Sequence, residues 1–291
     1  MLPLDPLAPA MAGPDPLLIA VLGACVGSFL NVVAWRLPRE ESVVTPGSHC
    51  PHCGTPLRWF ENLPLLSWML QRGRCRHCHG PIALRYPAVE LLSAGLWVAV
   101  LLAVQAGSTT ALGAAVPAWL LLGAGWLLVS WLLPLTLIDL DHLWLPESLC
   151  RWGVLLGLLM TAIAGFSQGE ASGRALLLEH LVAAAAGLLA LEGLSALAQR
   201  AMGKPALGLG DAKLTALLGA WLGLAGVGLA VVLAIAAGAL FGVLGLASGR
   251  LKRGQPFPFG PFLAAGGVAV WLGGNGWWLQ QLALLFGWGP L

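Results

Sequence analysis

The stretch LTALLGAWLGLAGVGLAVVLAIAAGALFGVLGLASG, Leu214–Gly249, runs for 36 residues without an Asp, Glu, Lys, Arg or His. A helix that crosses a bilayer needs about 20 predominantly apolar residues. The stretch therefore predicts two spans, with the turn between them at GLAGVG, Gly223–Gly228. Leu91–Ile138 holds 48 uncharged residues and reads the same way, breaking at QAGSTT, Gln105–Thr110. Composition agrees: 58% of residues are hydrophobic, 10% are charged, and mean hydropathy is +0.83. A soluble domain carries about 25% charge, so the bilayer is this chain's solvent. Further spans are expected over 17–36, 86–105, 149–166, 175–198 and 260–287, giving an all-α integral membrane protein of about eight transmembrane helices.

The basic residues orient these spans. With the N-terminus outside, every loop after an odd-numbered span faces the cytoplasm and is basic. Arg36, Arg39, Arg58, Arg72, Arg74, Arg76 and Arg85 fall in the first such loop and Arg151 in the second. Arg200, Lys204 and Lys213 fall in the third, and Arg250, Lys252 and Arg253 in the fourth; only Arg174 lies outside. This is the positive-inside pattern. Residues 1–16 carry five Pro, two Asp and no basic residue, so they predict a disordered tail and not a secretory signal. The expected organisation is that tail, a first helix over 17–36, a cytoplasmic insert over 37–85, and a multi-span domain over 86–291. No nucleic-acid partner is expected.

The insert contains CPHCGTP and CRHCHGP. Cys50 and Cys53 form one C-x₂-C pair, Cys75 and Cys78 a second, with 21 residues between. Two such pairs read as a closed, tetrahedral four-thiolate Zn²⁺ site in a small zinc-ribbon-like module. Disulfides are the rival reading, and a cytoplasmic loop argues against them. Gly54 and Gly80 suit the tight turns around the sulfurs. His52, His77 and His79 lie among the cysteines, but four thiolates already complete a shell. Cys25 and Cys150 fall at apolar positions and read as buried, inert thiols. A closed zinc site holds a fold together, so the chemistry has to come from elsewhere.

The acidic residues offer it. An ionisable group at membrane depth costs roughly 2.5–3.5 kcal/mol on insertion scales, which makes each one a functional candidate. Glu90, Asp139, Asp141, Glu147, Glu179, Glu192 and Asp211 lie within or beside spans. Asp139 ends the third span and Asp211, in GLGDAKL (Gly208–Leu214), begins the sixth. The two fall 72 residues apart but at the same depth, so packing of their helices brings the carboxylates together. Close carboxylates share a proton: one then activates water while the other polarises a carbonyl. Gly208 and Gly210 leave room for close backbone approach. Helix capping and ion-coupled transport remain alternatives on spacing alone.

GLGDAKL resembles the G-x-G-D-x-K motif of the type IV prepilin peptidases, integral-membrane aspartic proteases. GSFLNVVAWRLP (Gly27–Pro38) is similar to that family's first-span signature. The paired C-x₂-C module, RYPAVELL (Arg85–Leu92), IDLDHLWLPESL (Ile138–Leu149) and PFPFGPFLAAG (Pro256–Gly266) then follow in the family's order. The resemblance implies that Asp139 and Asp211 are catalytic, that Asp141 assists, and that Lys213 steadies an ionised Asp211. It implies substrates that are prepilins and pseudopilins, cut on the cytoplasmic face of the bacterial inner membrane after a Gly ending a short basic leader. Asp139, Asp141, Glu147 and Asp211 are expected to attract that leader. Members with the cysteine module also methylate the new N-terminus with S-adenosylmethionine. Two departures stand out: Glu147 in LPE where members often have LPD, and GFSQGEASGR (Gly165–Arg174), which reads as an enlarged outer loop.

No Gly-rich nucleotide loop is present, so the sequence assigns no residue to the methyl donor. Asn31, Tyr86 and Glu90 lie in family-like motifs, and polar bonding between spans accounts for them equally well. Three other classes compete. A transporter using Asp139 and Asp211 as a relay predicts inverted repeats, which the sequence does not display. A thiol oxidoreductase needs exposed redox cysteines. A zinc-anchored scaffold leaves the aspartates without a role. The 14 Trp, among them Trp271, Trp277, Trp278 and Trp288, read as interfacial anchors.

Overall fold

The computed structural model describes residues 14–107, 112, 115–202, 208–252 and 255–287. Most of the expected tail, with Lys204, Arg253 and Trp288, lies outside the described residues. Nine α-helices follow in order among those described: α1 (Pro16–Arg36), α2 (Leu66–Leu70), α3 (Arg85–Gln105), α4 (Ala118–His142), α5 (Glu147–Phe166), α6 (Glu170–Met202), α7 (Leu209–Ala247), α8 (Gly260–Gly273) and α9 (Asn275–Leu285). Six of them, α1 and α3–α7, are long and apolar enough to cross a bilayer. The chain is a multi-pass membrane protein. Its helices begin and end where local chemistry dictates. Asp15 accepts the Leu17 N–H and Pro16 opens α1, whereas α4 stops at Leu143, whose left-handed backbone returns an N–H to the Asp139 carbonyl.

The uncharged stretch beginning at Leu214 folds back on itself. Gly223, at φ 70° and ψ −175°, interrupts α7, and it stands at the first residue of the expected turn. A Cβ on Gly267 of α8 would touch Leu218, and one on the adjacent Gly266 would touch Ala230. In a straight helix residues 218 and 230 would stand about 18 Å apart, so neighbouring positions reach both only if the two halves lie side by side. Glu179 of α6 stabilises the turn by accepting the Leu224 N–H at 2.6 Å.

Three expectations need correction. Residues 260–287 are not one span: Gly274, at φ 75°, divides them into helices of 14 and 11 residues. Counting by length gives six helices able to span, one of them the folded-back α7, so the count of eight is not confirmed. The outer loop is not enlarged, because α5 runs to Phe166 and α6 starts at Glu170, with Gly165 packed directly against Gly173. Cys25 is exposed on α1, while Cys150 is buried as expected.

Helix α4 packs against α1, α3, α5 and α8, and α7 against α5, α6 and α8. Lipid supplies no hydrophobic drive between helices, so close contact rests on small residues. Gly23 and Gly27 of α1 bring Ala94, Ser93 and Glu90 of α3 within reach, and Ser93 Oγ donates to the Gly23 carbonyl at 2.7 Å. Gly219 of α7 lies on the Ala183 backbone of α6. Leu17, Leu155, Leu189 and Leu240 point outward, forming an apolar surface suited to lipid.

Candidate active site and metal centre

The C-termini of α1 and α4 and the N-termini of α3, α5, α7 and α8 meet at one end of the bundle. The cysteine module sits at that same end. Asp139, from the last turn of α4, is 5% exposed. Its Oδ2 accepts the Gly260 N–H at 2.9 Å, so the positive N-terminus of α8 rests on this carboxylate. Asp211, from the first turn of α7, is 9% exposed, and its Oδ2 accepts the Gly208 N–H at 3.1 Å. Both carboxylates are thus buried at the same end of the bundle, one from the end of α4 and one from the start of α7. Gly210 lets the segment between α4 and α5 pack closely on the start of α7: a Cβ there would crowd Leu145 at 3.1 Å.

The surrounding charges fall otherwise than expected. Lys213 does not pair with Asp211. Its Nζ lies 3.0 Å from Glu147 Oε2, tying α7 to α5, because residues 211 and 213 point to different faces of a helix. The Glu in LPE thus has its own role as the partner of that lysine. Asp141 pairs with Arg85 of α3 at 2.6 Å. Two of the four carboxylates expected to draw in a basic peptide are therefore already balanced. Gly260 and Arg85 lie in quoted motifs, yet nothing in the sequence assigns them contacts. Their partners are 121 and 56 residues away.

The cysteine module is built from two similar knuckles. His49 bridges Pro56, and Arg74 bridges Pro81, each pair flanking a C-x₂-C at the same offsets. The Cys50 N–H donates to Thr55 and the Cys75 N–H to Gly80. Left-handed backbone follows the second cysteine of each pair, at Gly54 (φ 68°) and at His79 (φ 58°). Gly80 is needed for a different reason: a Cβ there would lie 2.9 Å from the His52 ring. The four Sγ atoms lie within 4.8 Å of one another, and those of Cys50 and Cys78 are 3.8 Å apart. A tetrahedron of thiolates 2.3 Å from a metal has edges of about 3.8 Å, so the four sulfurs can hold such an ion.

Two of the four thiols are held low. The Thr55 hydroxyl and amide hold Cys53 down to about 6, and the Cys78 and His77 amides lower Cys75. The Gly80 amide lowers Cys78, but burial and the three neighbouring sulfurs outweigh it and push that thiol up to about 11. A metal ion would displace the protons that remain. The histidines find other partners: His52 meets the Pro81 carbonyl and His77 approaches Glu61.

Residues 21–104 match the family model of the bacterial peptidase A24 N-terminal domain, and residues 126–243 match that of the type IV leader peptidase family. The chain is 37% identical over 296 residues to a prepilin leader peptidase/N-methyltransferase of Aeromonas hydrophila, covering 91% of this chain and 93% of the relative. A protein of the same name from Myxococcus xanthus is 42% identical over 82% of this chain and 67% of its own length. A type 4 prepilin-like proteins leader peptide-processing enzyme of Escherichia coli is 36% identical, covering 88% of this chain and 93% of the relative. No solved structure matches the chain.

Proposed function

This chain belongs to the type IV leader peptidase family, and from that membership we propose that it removes the leader from type IV prepilins and pseudopilins by aspartic endoproteolysis, then methylates the new N-terminus. The observation that carries the proteolytic half is the pair of buried carboxylates, Asp139 and Asp211, brought from helices far apart in sequence to one end of the bundle. Two such groups hold one proton between them. The ionised carboxylate takes a proton from water as the oxygen adds to the scissile carbonyl, and the protonated one polarises that carbonyl. Return of a proton to the amide nitrogen releases the leader. Gly260 and Gly208 orient the two carboxylates through their N–H groups.

The distribution of basic residues supports a reading in which this end of the bundle faces the cytoplasm across the inner membrane, with the N-terminus outside. A basic leader would meet the dyad there while the pilin's apolar segment stays in the bilayer. Zn²⁺ bound by Cys50, Cys53, Cys75 and Cys78 would join the two knuckles and leave no open coordination position, so its role is structural. Residues 37–85 then form the module and 86–291 the peptidase domain. S-adenosylmethionine supplies an electrophilic methyl group when bound.

Leader cleavage of a prepilin in membranes tests the assignment. Asp139→Asn and Asp211→Asn are expected to abolish cleavage at normal protein levels, and Asp141→Asn to retain it. Cleavage that survives in both dyad variants would remove the protease reading.

A further inference from the structure

A cavity of about 400 Å³ lies between the cysteine module and the cytoplasmic ends of α1 and α3, within the size range of small-ligand sites. Two buried carboxylates enter it: Glu61 from the module, 6% exposed, and Glu90 from α3, 8% exposed. Among the described residues neither pairs with a Lys or Arg. Glu90 Oε2 accepts the Leu65 N–H at 2.7 Å, and Glu61 Oε2 accepts the Arg58 N–H at 2.9 Å. Glu61 Oε1 accepts no hydrogen bond, and the His77 ring stands 3.8 Å from it. Arg36 also lines the wall, but its guanidinium is taken up by the carbonyls of Ser42, Pro46 and Gly47 at 3.0, 2.7 and 3.2 Å.

Buried carboxylates with no Lys or Arg partner are costly, so this wall of the cavity can receive positive charge. The backbone around it is strained as ligand sites often are. Leu65 holds φ 61° and ψ −51°, which aims its N–H at Glu90. Trp68 and Tyr86 add aromatic surface for a base or a cation.

We propose that this cavity binds the methyl donor, an adenosyl sulfonium, with Glu61 and Glu90 facing its positive charge. The proposal rests on the methyl-transfer reading above. Its size suits a nucleoside-sized cation and not a helical leader. Transfer forms a bond between the amine nitrogen's lone pair and the methyl carbon. The carbon–sulfur bond breaks with its electron pair returning to sulfur, and the amine's proton leaves to solvent.

The test exploits the charge that transfer removes. S-adenosylmethionine and its neutral thioether product are titrated against the purified full-length, zinc-loaded enzyme in nanodiscs, for wild type, Glu61→Gln and Glu90→Gln. Each substitution is expected to weaken the sulfonium at least tenfold and the thioether less than threefold, with zinc content unchanged. Equal weakening of both ligands, or of neither, overturns the site while leaving methyl transfer intact, provided wild type binds the donor. Wild type that binds neither ligand and methylates no prepilin overturns the methyl-transfer reading itself.

Discussion

Gly260→Ala is the smallest change that isolates how Asp139 is held. The Gly260 N–H lies 2.9 Å from Asp139 Oδ2, and a Cβ on residue 260 would stand 2.6 Å from that same oxygen. An ordinary carbon–oxygen contact is about 3.3 Å, so α8 or Asp139 must yield by roughly 0.7 Å. Neither has slack, since Gly260 and Leu263 of α8 are buried and Asp139 is enclosed. Losing a hydrogen bond to a charged group costs about 1.5–3 kcal/mol, or roughly 10- to 150-fold in kcat/KM. Misplacement of the reacting oxygen acts in the same direction. Alanine is meanwhile the better helix former by about 1 kcal/mol, so the fold itself is not expected to fail. The assay is leader-cleavage kinetics in membranes at matched protein levels, with Gly123→Ala of α4 as the control, because nothing lies within 4 Å of a Cβ there. The expected result is a fall in kcat with KM changed less than threefold. Wild-type kcat/KM in Gly260→Ala would refute the claim that α8 positions the carboxylate proposed as catalytic.

Gly223→Ala places a side chain at φ 70° and ψ −175°, a region essentially restricted to glycine, and 2.7 Å from both Glu179 carboxylate oxygens. Thermal unfolding in detergent should begin several degrees lower, while Gly228→Ala, with open space around it, leaves the midpoint unmoved. The Asp141–Arg85 pair is about one-third exposed on both sides, so solvent screening limits its worth to at most about 1 kcal/mol. Asp141→Asn should therefore slow cleavage no more than about fivefold, and adding Arg85→Ala should cost little more; complete loss in Asp141→Asn would make that residue catalytic. Cys75→Ser removes one corner of the tetrahedron. Metal analysis should show zinc falling from one ion per chain to none, with trypsin then cutting at Arg58, Arg72 or Arg74; zinc retained at full stoichiometry would rule out a four-thiolate site.

The membrane architecture was readable because charge depletion is a bulk property: 48 and 36 uncharged residues cannot be accommodated any other way. Even the fold-back at Gly223 followed from length alone. Thresholds of that kind fail at the C-terminus, where residues 260–287 are uncharged throughout and a single φ of 75° at Gly274 decides that they form two helices. The outer loop was misread for a related reason. Polar composition over Gly165–Arg174 suggests a loop, but the two glycines let α5 and α6 meet closely and continue almost to the turn. For the site, spacing singled out four cysteines and made two aspartates candidates, and the family resemblance then proposed those aspartates as catalytic, since such chemistry depends on residue type. Spacing could not identify partners. Lys213 lies two residues from Asp211 in sequence, yet helical geometry sends it to Glu147, and the N–H that holds Asp139 belongs to Gly260, 121 residues on.

The first two turns of α3 connect the two proposed chemistries. Arg85 reaches Asp141, two residues from the dyad, while the Tyr86 carbonyl accepts from Asn31 of α1 and Glu90 enters the cavity beneath the cysteine module. Arg85 and Glu90 are only about 7.5 Å apart along the helix axis. One rigid element would then run from the partner of Asp141 to the wall of the proposed donor cavity. That arrangement gives the cysteine module a purpose beyond its own stability. By fixing the segment that carries Glu61 and Leu65, a metal bound there would set the wall of the donor cavity opposite α3. A change in metal occupancy should then alter donor affinity while leaving the Asp139–Gly260 contact, on the far side of Arg85, undisturbed.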